Sequence, residues 1–246
     1  MEIEAEPLES RYRLARIGFL LAALACGLMA FDAAGHTVMM VTDDQALGQL
    51  FESEQWLWWA STGVAWFGLL GTLALVGRWP TPYWRERTTI LLVLAAVGVV
   101  LWAIRHGHRL GLFETEAPWP WFRLQLSLAF RWAWMLILVD LAGRVAEHLG
   151  HAEAGRLRQI VRTLILLGIA AWLFLIVGSF GLGFGRPVLL PRRLWAVFLL
   201  QWFFFSLTRA VSCFATTLLV LLTARECRAF LHERKQLSSA PDLPPA

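Results

Sequence analysis

Charge is what this chain of 246 residues has least of: Asp, Glu, Lys and Arg make up 16% of it, where an ordinary soluble domain carries about 25%. Lysine is almost missing, with Lys235 the only one among 22 cationic side chains. That bias towards Arg fits a GC-rich bacterial coding sequence. Cysteine is scarce as well. Cys26, Cys213 and Cys227 show no CxxC spacing and no even framework, which argues against a disulfide scaffold or a cysteine metal cluster. Each falls in or beside an apolar stretch and is read as a buried small hydrophobe. Catalytic signatures are absent: there is no Ser/His/Asp order and no pair of carboxylates within one apolar stretch, so nothing points to hydrolytic chemistry. The glycines Gly178, Gly181, Gly183 and Gly185 look superficially like a phosphate loop, but no strand precedes them and no Lys follows. Gly181 and Gly185 have instead the spacing of a close helix contact.

What the chain has is apolar surface. Hydrophobic residues are 58% of it, aromatics 13%, and the mean hydropathy is +0.57. A soluble globule, a nucleic-acid module and a disordered chain are all incompatible with that balance. The apolar residues form six blocks, Ile17–Val41, Trp56–Val76, Thr88–Ile104, Leu124–Ala142, Leu164–Phe184 and Leu194–Thr223. A membrane-crossing helix needs roughly 20 such residues. The expected fold is therefore all-α, a polytopic membrane bundle of about six transmembrane helices. It divides into an N-terminal segment 1–16, the helical domain 17–223 and a C-terminal segment 224–246 ending in a polar, proline-rich tail.

Six spans put both termini on one side, and the cations say which. Fourteen Arg and Lys lie in the N-terminal segment, the second and fourth loops and the C-terminal segment, against six in the other loops. Short cytoplasmic segments collect Lys and Arg, so both termini are expected in the cytoplasm and the chain in the inner (plasma) membrane. Tryptophan agrees with this: Trp56, Trp58, Trp59, Trp102, Trp119, Trp121 and Trp195 cluster at the outer ends, with Trp79 and Trp84 at the inner face. Trp132 and Trp134 lie deeper and are expected to pack between helices. The first block follows sixteen residues rich in Glu and exceeds a cleaved signal segment in length. Its Ala23-Leu24-Ala25-Cys26 stretch does not fit a lipoprotein signal, so the block is read as an uncleaved span. The peptide Asp32-Ala33-Ala34-Gly35-His36 resembles Asp140-Leu141-Ala142-Gly143-Arg144, as an inverted repeat would, though five residues are too few to establish duplication.

Ionisable groups inside a span cost several kcal/mol unless paired or hydrated, which makes each a functional hypothesis. Four stand out. Asp140 sits near the inner end of its span with Arg144 four residues on, an interfacial ion pair. Arg131 lies about 10 Å below the outer end at a depth comparable to Asp32, and the two are expected to bridge. Arg209 is the deepest and has no carboxylate at an obvious matching depth. Around it Ser206, Ser212 and Thr216, with Cys213, make one polar stripe that should face the bundle interior or a hydrated cavity. An Arg left unpaired there suits an anionic group, since its fork matches carboxylate and phosphate. The candidate solute or ion path is thus Asp32, Arg131, Arg209, Ser206, Ser212 and Thr216.

A second cluster consists of His36, four residues after Asp32, with His106 and His108 at the end of the third span. Asp32, His36, His106 and His108 form a candidate metal or haem site if those spans touch. Arg105 and Arg109 beside them would repel a cation, and hydrogen bonding at the interface is the simpler role. His148 and His151 read as solvated.

Three functions follow. The favoured one is a small transporter, permease-like protein or channel component with an intramembrane polar path. The alternatives are a non-catalytic accessory subunit of a larger membrane assembly and an outer-face metal or haem redox protein. The expected partners are the lipid bilayer and possible further membrane subunits or second copies of the chain. Nucleic acid is not expected, because the cations are spread by topology. No particular cofactor is specified.

Overall fold

In a computed structural model, residues 5–42, 49, 53–76, 82–107, 120–181 and 192–239 are described. Among them are six α-helices: α1 (Ala5–Thr42), α2 (Glu54–Leu75), α3 (Pro82–His106), α4 (Pro120–His148), α5 (Ala154–Gly181) and α6 (Arg192–Ser239). Each covers most or all of one apolar block. Helices α1, α3, α4, α5 and α6 are long and apolar enough to cross a membrane, the pattern of a multi-pass membrane protein. Helix α2 has no ionisable side chain between Gln55 and Leu75, but Trp, Ser, Thr and Gly dilute its apolar character.

Local signals set the helix ends. Pro82 and Pro120 occupy the first positions of α3 and α4, where the missing N–H costs nothing. The Ser53 hydroxyl accepts the backbone N–H of Trp56 at 3.1 Å and caps α2. Helix α4 closes in a Schellman turn. His151 N–H donates to the Ala146 carbonyl and Gly150 N–H to that of Glu147, both at 3.0 Å, and Gly150 supplies the required φ of +93°.

The helices pack in sequence order, α1 closes the ring on α6, and α4 also reaches α6. Residue contacts set their directions. Tyr12 meets Phe230 with ring centroids 4.6 Å apart, while Asp32 meets Arg209, so α1 and α6 are antiparallel. Ser61 with His106, Tyr83 with Asp140 and Gln125 with Trp172 fix the other neighbours the same way. Helices α4 and α6 run parallel, since Met135 touches Cys213 and the Thr223 hydroxyl donates to the Ala142 carbonyl at 3.1 Å. The bundle is therefore an up-and-down ring with an Asp32 end and an Asp140 end.

The core runs through its centre on Phe19, Met29, Trp132, Trp134, Met135, Leu138, Phe205 and Leu219. Trp132 and Trp134 are 2% and 6% exposed, packed between helices as their depth suggested. Cys26, Cys213 and Cys227 are free and buried. Helices α1 and α2 approach most closely at two glycines. A Cβ added to Gly18 would lie 2.8 Å from the Gly71 carbonyl oxygen, and one added to Gly71 would lie 2.9 Å from that of Gly18, so backbone meets backbone there.

Most helices outrun their apolar blocks at the Asp140 end. Helix α1 is already helical at Ala5 and α6 continues to Ser239. Tyr12, Ala15, Ala224 and Cys227 are buried in that extension, so much of segments 1–16 and 224–246 prolongs the bundle. The rest of the proline-rich tail, from residue 240, lies outside the described residues, as do Gly183 and Gly185. At this end Asp140 takes a hydrogen bond from the Tyr83 hydroxyl and lies 3.5 Å from Arg144 and 4.0 Å from Arg87. The Arg144 pair is the one its spacing indicated. Both guanidiniums lie over the Tyr83 ring, 4.4 and 5.2 Å from its centre.

Candidate functional site

Helix register brings three of the four intramembrane charges to one level. Asp32 lies ten residues before the end of α1 at Thr42, and Arg209, bonded to it, lies seventeen after the start of α6 at Arg192. Asp32 is thus about 15 Å from the end of α1 and Arg209 about 25 Å from the start of α6 at 1.5 Å per residue, so α6 projects beyond α1 at that end. On the parallel α4 and α6, Arg131 and Arg209 each lie four residues before a pair in contact, Met135 Sδ and Cys213 Sγ at 3.7 Å. Arg131 therefore stands beside Arg209.

The Arg209 Nη2 donates to Asp32 Oδ2 at 2.8 Å, with the two side chains 16% and 15% exposed. Trp56 Nε1 donates to the other carboxylate oxygen at 3.4 Å. His36 lies on the same face, its Nδ1 3.8 Å from Oδ1 and hydrogen-bonded at 2.8 Å to the Asp32 carbonyl. The carboxylate is thus held from α1, α2 and α6 together. This corrects the expectation that Arg209 has no carboxylate partner and that Asp32 bridges to Arg131. The reason is register: the start of an apolar block does not mark the depth at which its helix meets the neighbours, and α6 begins several residues beyond the level of Thr42.

Arg131 takes part differently. With Asp32, Arg105 and Arg209 it lines a cavity of about 40 Å³ between α1, α2, α3, α4 and α6, walled also by Met29, Leu57, Ala60, Ser61 and Val64. The described lining residues include three arginines and one carboxylate; Arg105 is exposed and Arg209 is bonded to Asp32, which leaves Arg131 as the surplus positive charge. A free volume of that size takes a few waters and no sizeable solute. In a medium of low dielectric such an excess strongly attracts an anion, and the Arg fork can bind carboxylate or phosphate through two bonds.

The hydroxyl stripe has other duties. Ser212 donates across to the Leu164 carbonyl of α5 at 2.8 Å, and Thr216 to its own helix at the Ser212 carbonyl, also at 2.8 Å. Ser206, Ser212 and Thr216 are all buried, 3%, 1% and 0% exposed. The structure brings Asp32, Arg131 and Arg209 to one cavity whose lining does not include these three hydroxyls.

The histidines have partners of their own. His106, 6% exposed, shares a hydrogen bond with the Ser61 hydroxyl through Nε2 at 2.9 Å, and its ring lies 5.9 Å from that of Trp102. Among the described residues no three His, Cys, Asp or Glu side chains form a group able to hold a metal. His108 lies outside them. Asp32 is in addition already engaged at both oxygens, so a cation there would have to displace Arg209. His148 and His151 lie at the opposite end, against Trp84 and Glu226.

Trp56 and Arg105 join the site although their sequence positions mark them otherwise, Trp56 as an interface anchor and Arg105 as an outer-loop cation beside the histidines. Trp56 lies one turn into α2 and Arg105 one residue before the end of α3, at the end of the bundle where Asp32 lies ten residues from the end of its own helix. No sequence signal marked that level, because it depends on how far each helix projects. A second cavity, also about 40 Å³, adjoins the first: it shares Met29, Val64 and Arg131 and is otherwise lined by apolar residues and glycines of α2, α3 and α4.

No protein-family model, no curated protein and no solved structure matches the chain.

Proposed function

With geometry as the guide, we propose that the chain is a six-span protein of the bacterial inner (plasma) membrane, both termini cytoplasmic, that carries an anion through the bilayer as a small transporter or permease. The observation behind this is a cavity whose described lining residues set Arg105, Arg131 and Arg209 against one carboxylate, that of Asp32. Helix locking needs one pair, and one pair is present. Arg131 is the surplus positive charge among the described lining residues, and holding an unpaired guanidinium at that depth is costly. An anion supplies its counter-charge. Asp32 then acts as an internal stand-in that holds Arg209 until the anion competes for it. A cavity of about 40 Å³ corresponds to a closed arrangement, and passage requires the helices to separate around it.

The test is anion uptake into liposomes containing the purified chain, with phosphate and small carboxylates driven by their own gradients. Arg131→Leu and Arg209→Leu should each lower the flux at least tenfold while the variants elute as folded particles, and Arg209→Lys should retain part of it. Wild-type flux no higher than that of protein-free liposomes would dispose of the proposal.

One observation favours a second reading, a non-catalytic accessory subunit. The Ser212 and Thr223 hydroxyls fasten α6 to α5 and α4, as helix locks in an assembly core would. Particle size after mild solubilisation separates the two, because a lone monomer speaks against an accessory role.

A further inference from the structure

The two adjoining cavities have opposite chemistry and meet at one residue. In the second, Arg131 is the only ionisable lining residue among the described ones. Its floor is made of small residues, Ala65 and Gly68 on α2 with Ala95 and Gly98 on α3, and Phe130 and Trp134 of α4 flank them. A Cβ placed on Gly98 would meet nothing within 4 Å, so the slot is open on that side. Leu94 and Gly98 in the lining are themselves half-exposed, which puts the slot at the surface of α3.

The cavities also follow one another along the bundle. From Val64 to Gly68 on α2, from Gly98 to Leu94 on α3 and from Arg131 to Trp134 on α4, the apolar lining steps about one turn towards the Asp140 end. The charged cavity lies towards the Asp32 end, reaching Ser61 and Arg105. A molecule with its charge between the arginines and its chain in the slot would have the orientation of an amphiphile in the leaflet at the Asp32 end.

We propose that the anion taken by the arginine cavity is the head group of a single-chain amphiphile, a carboxylate or phosphate on an aliphatic tail, with the first methylenes of the tail in the slot between α2, α3 and α4. This rests on the anion reading of the arginine cavity and adds the class of ligand. Arg131 serves both parts: its guanidinium meets the head group, and its aliphatic stem lines the start of the tail slot. The ligand reaches the site laterally from the bilayer.

The experiment uses the full chain in phosphatidylcholine nanodiscs, with empty nanodiscs subtracted, and measures retention of inorganic phosphate, decyl phosphate and decyl maltoside by native mass spectrometry. A buried methylene adds about 0.8 kcal/mol, roughly fourfold in affinity. Decyl phosphate should therefore bind at least tenfold more tightly than inorganic phosphate, and decyl maltoside should not be retained. Gly98→Phe, which enters open space, should bring decyl phosphate to within about threefold of inorganic phosphate and leave inorganic phosphate unchanged. Ala95→Leu provides a second filling of the slot, with elution profile and melting temperature as folding controls. Equal binding of the two phosphates, with no effect of Gly98→Phe or Ala95→Leu, overturns the amphiphile inference and leaves the anion site standing. Retention of decyl maltoside as strong as that of decyl phosphate overturns it too, because recognition would not involve charge. Absence of binding by either phosphate removes the anion reading itself.

Discussion

Replacing Asp32 with Ala leaves the described lining of the cavity with three arginines and no carboxylate, and the size of the loss says which arginine the carboxylate serves. Removing one partner of a buried ion pair costs about 3–5 kcal/mol, mostly because the other charge is stranded. Single polar contacts between membrane helices are worth less, about 0.6 kcal/mol on average and 1.7 at most, because the chain unfolded in the membrane finds other partners. Asp32 and Arg209 are 15% and 16% exposed and their bond is 2.8 Å long, so water offers little compensation. A loss of about 2–3 kcal/mol lies between the two bounds. For a chain of this size that lowers the melting temperature by roughly 5–10 °C. The double variant Asp32→Ala/Arg209→Leu should recover at least half of the loss, since exchanging a whole ion pair for apolar residues is close to neutral. Asp32→Ala/Arg131→Leu should recover clearly less. Tryptophan-fluorescence melting of six proteins in one detergent, the wild type, the three single variants and the two double variants, gives both coupling energies through double-mutant cycles. A coupling of Asp32 to Arg131 equal to or larger than that to Arg209 refutes the register described here.

Glycine substitutions should separate by sign. Gly18→Ala should lower stability by about 1–3 kcal/mol through overpacking against the Gly71 carbonyl and Leu75, whereas Gly98→Ala should raise it by up to about 1 kcal/mol through helix propensity alone. Thermal melts of the pair check this, and a stabilising Gly18→Ala would contradict the backbone contact of α1 with α2. Tyr83→Phe keeps the ring beneath Arg87 and Arg144 and removes only the hydroxyl bound to Asp140. It should cost about 1–2 kcal/mol, and an unchanged melting temperature would show that the bond carries no stability.

Legibility differed by level. Apolar runs such as Thr88–Ile104 located the helices because only a fully hydrogen-bonded backbone survives in lipid. They did not give helix length: α6 continues sixteen residues past Thr223 to Ser239, because a helix leaving the membrane persists when its apolar side stays buried, as Cys227 does. Asp140 with Arg144 was legible because it is local, one helical turn within α4. Asp32 with Arg209 was not, since it spans 177 residues of sequence and depends on how far α6 projects beyond α1. The polar stripe around Arg209 was visible as a stripe. Its use against the carbonyls of neighbouring helices was not, because a hydroxyl's partner depends on what packs opposite it.

Composition and hydrophobic pattern alone determined the solvent, the helical class and the short roster of residues the bilayer makes costly, since each of these is a transfer free energy counted along the chain. Only the tertiary structure decided which of those residues stand together. Rotation and sliding of one helix against the next are fixed by packing such as Gly18 on Gly71, and those two degrees of freedom turn four scattered charges into one ion pair with Arg131 beside it and a separate pair at the opposite end.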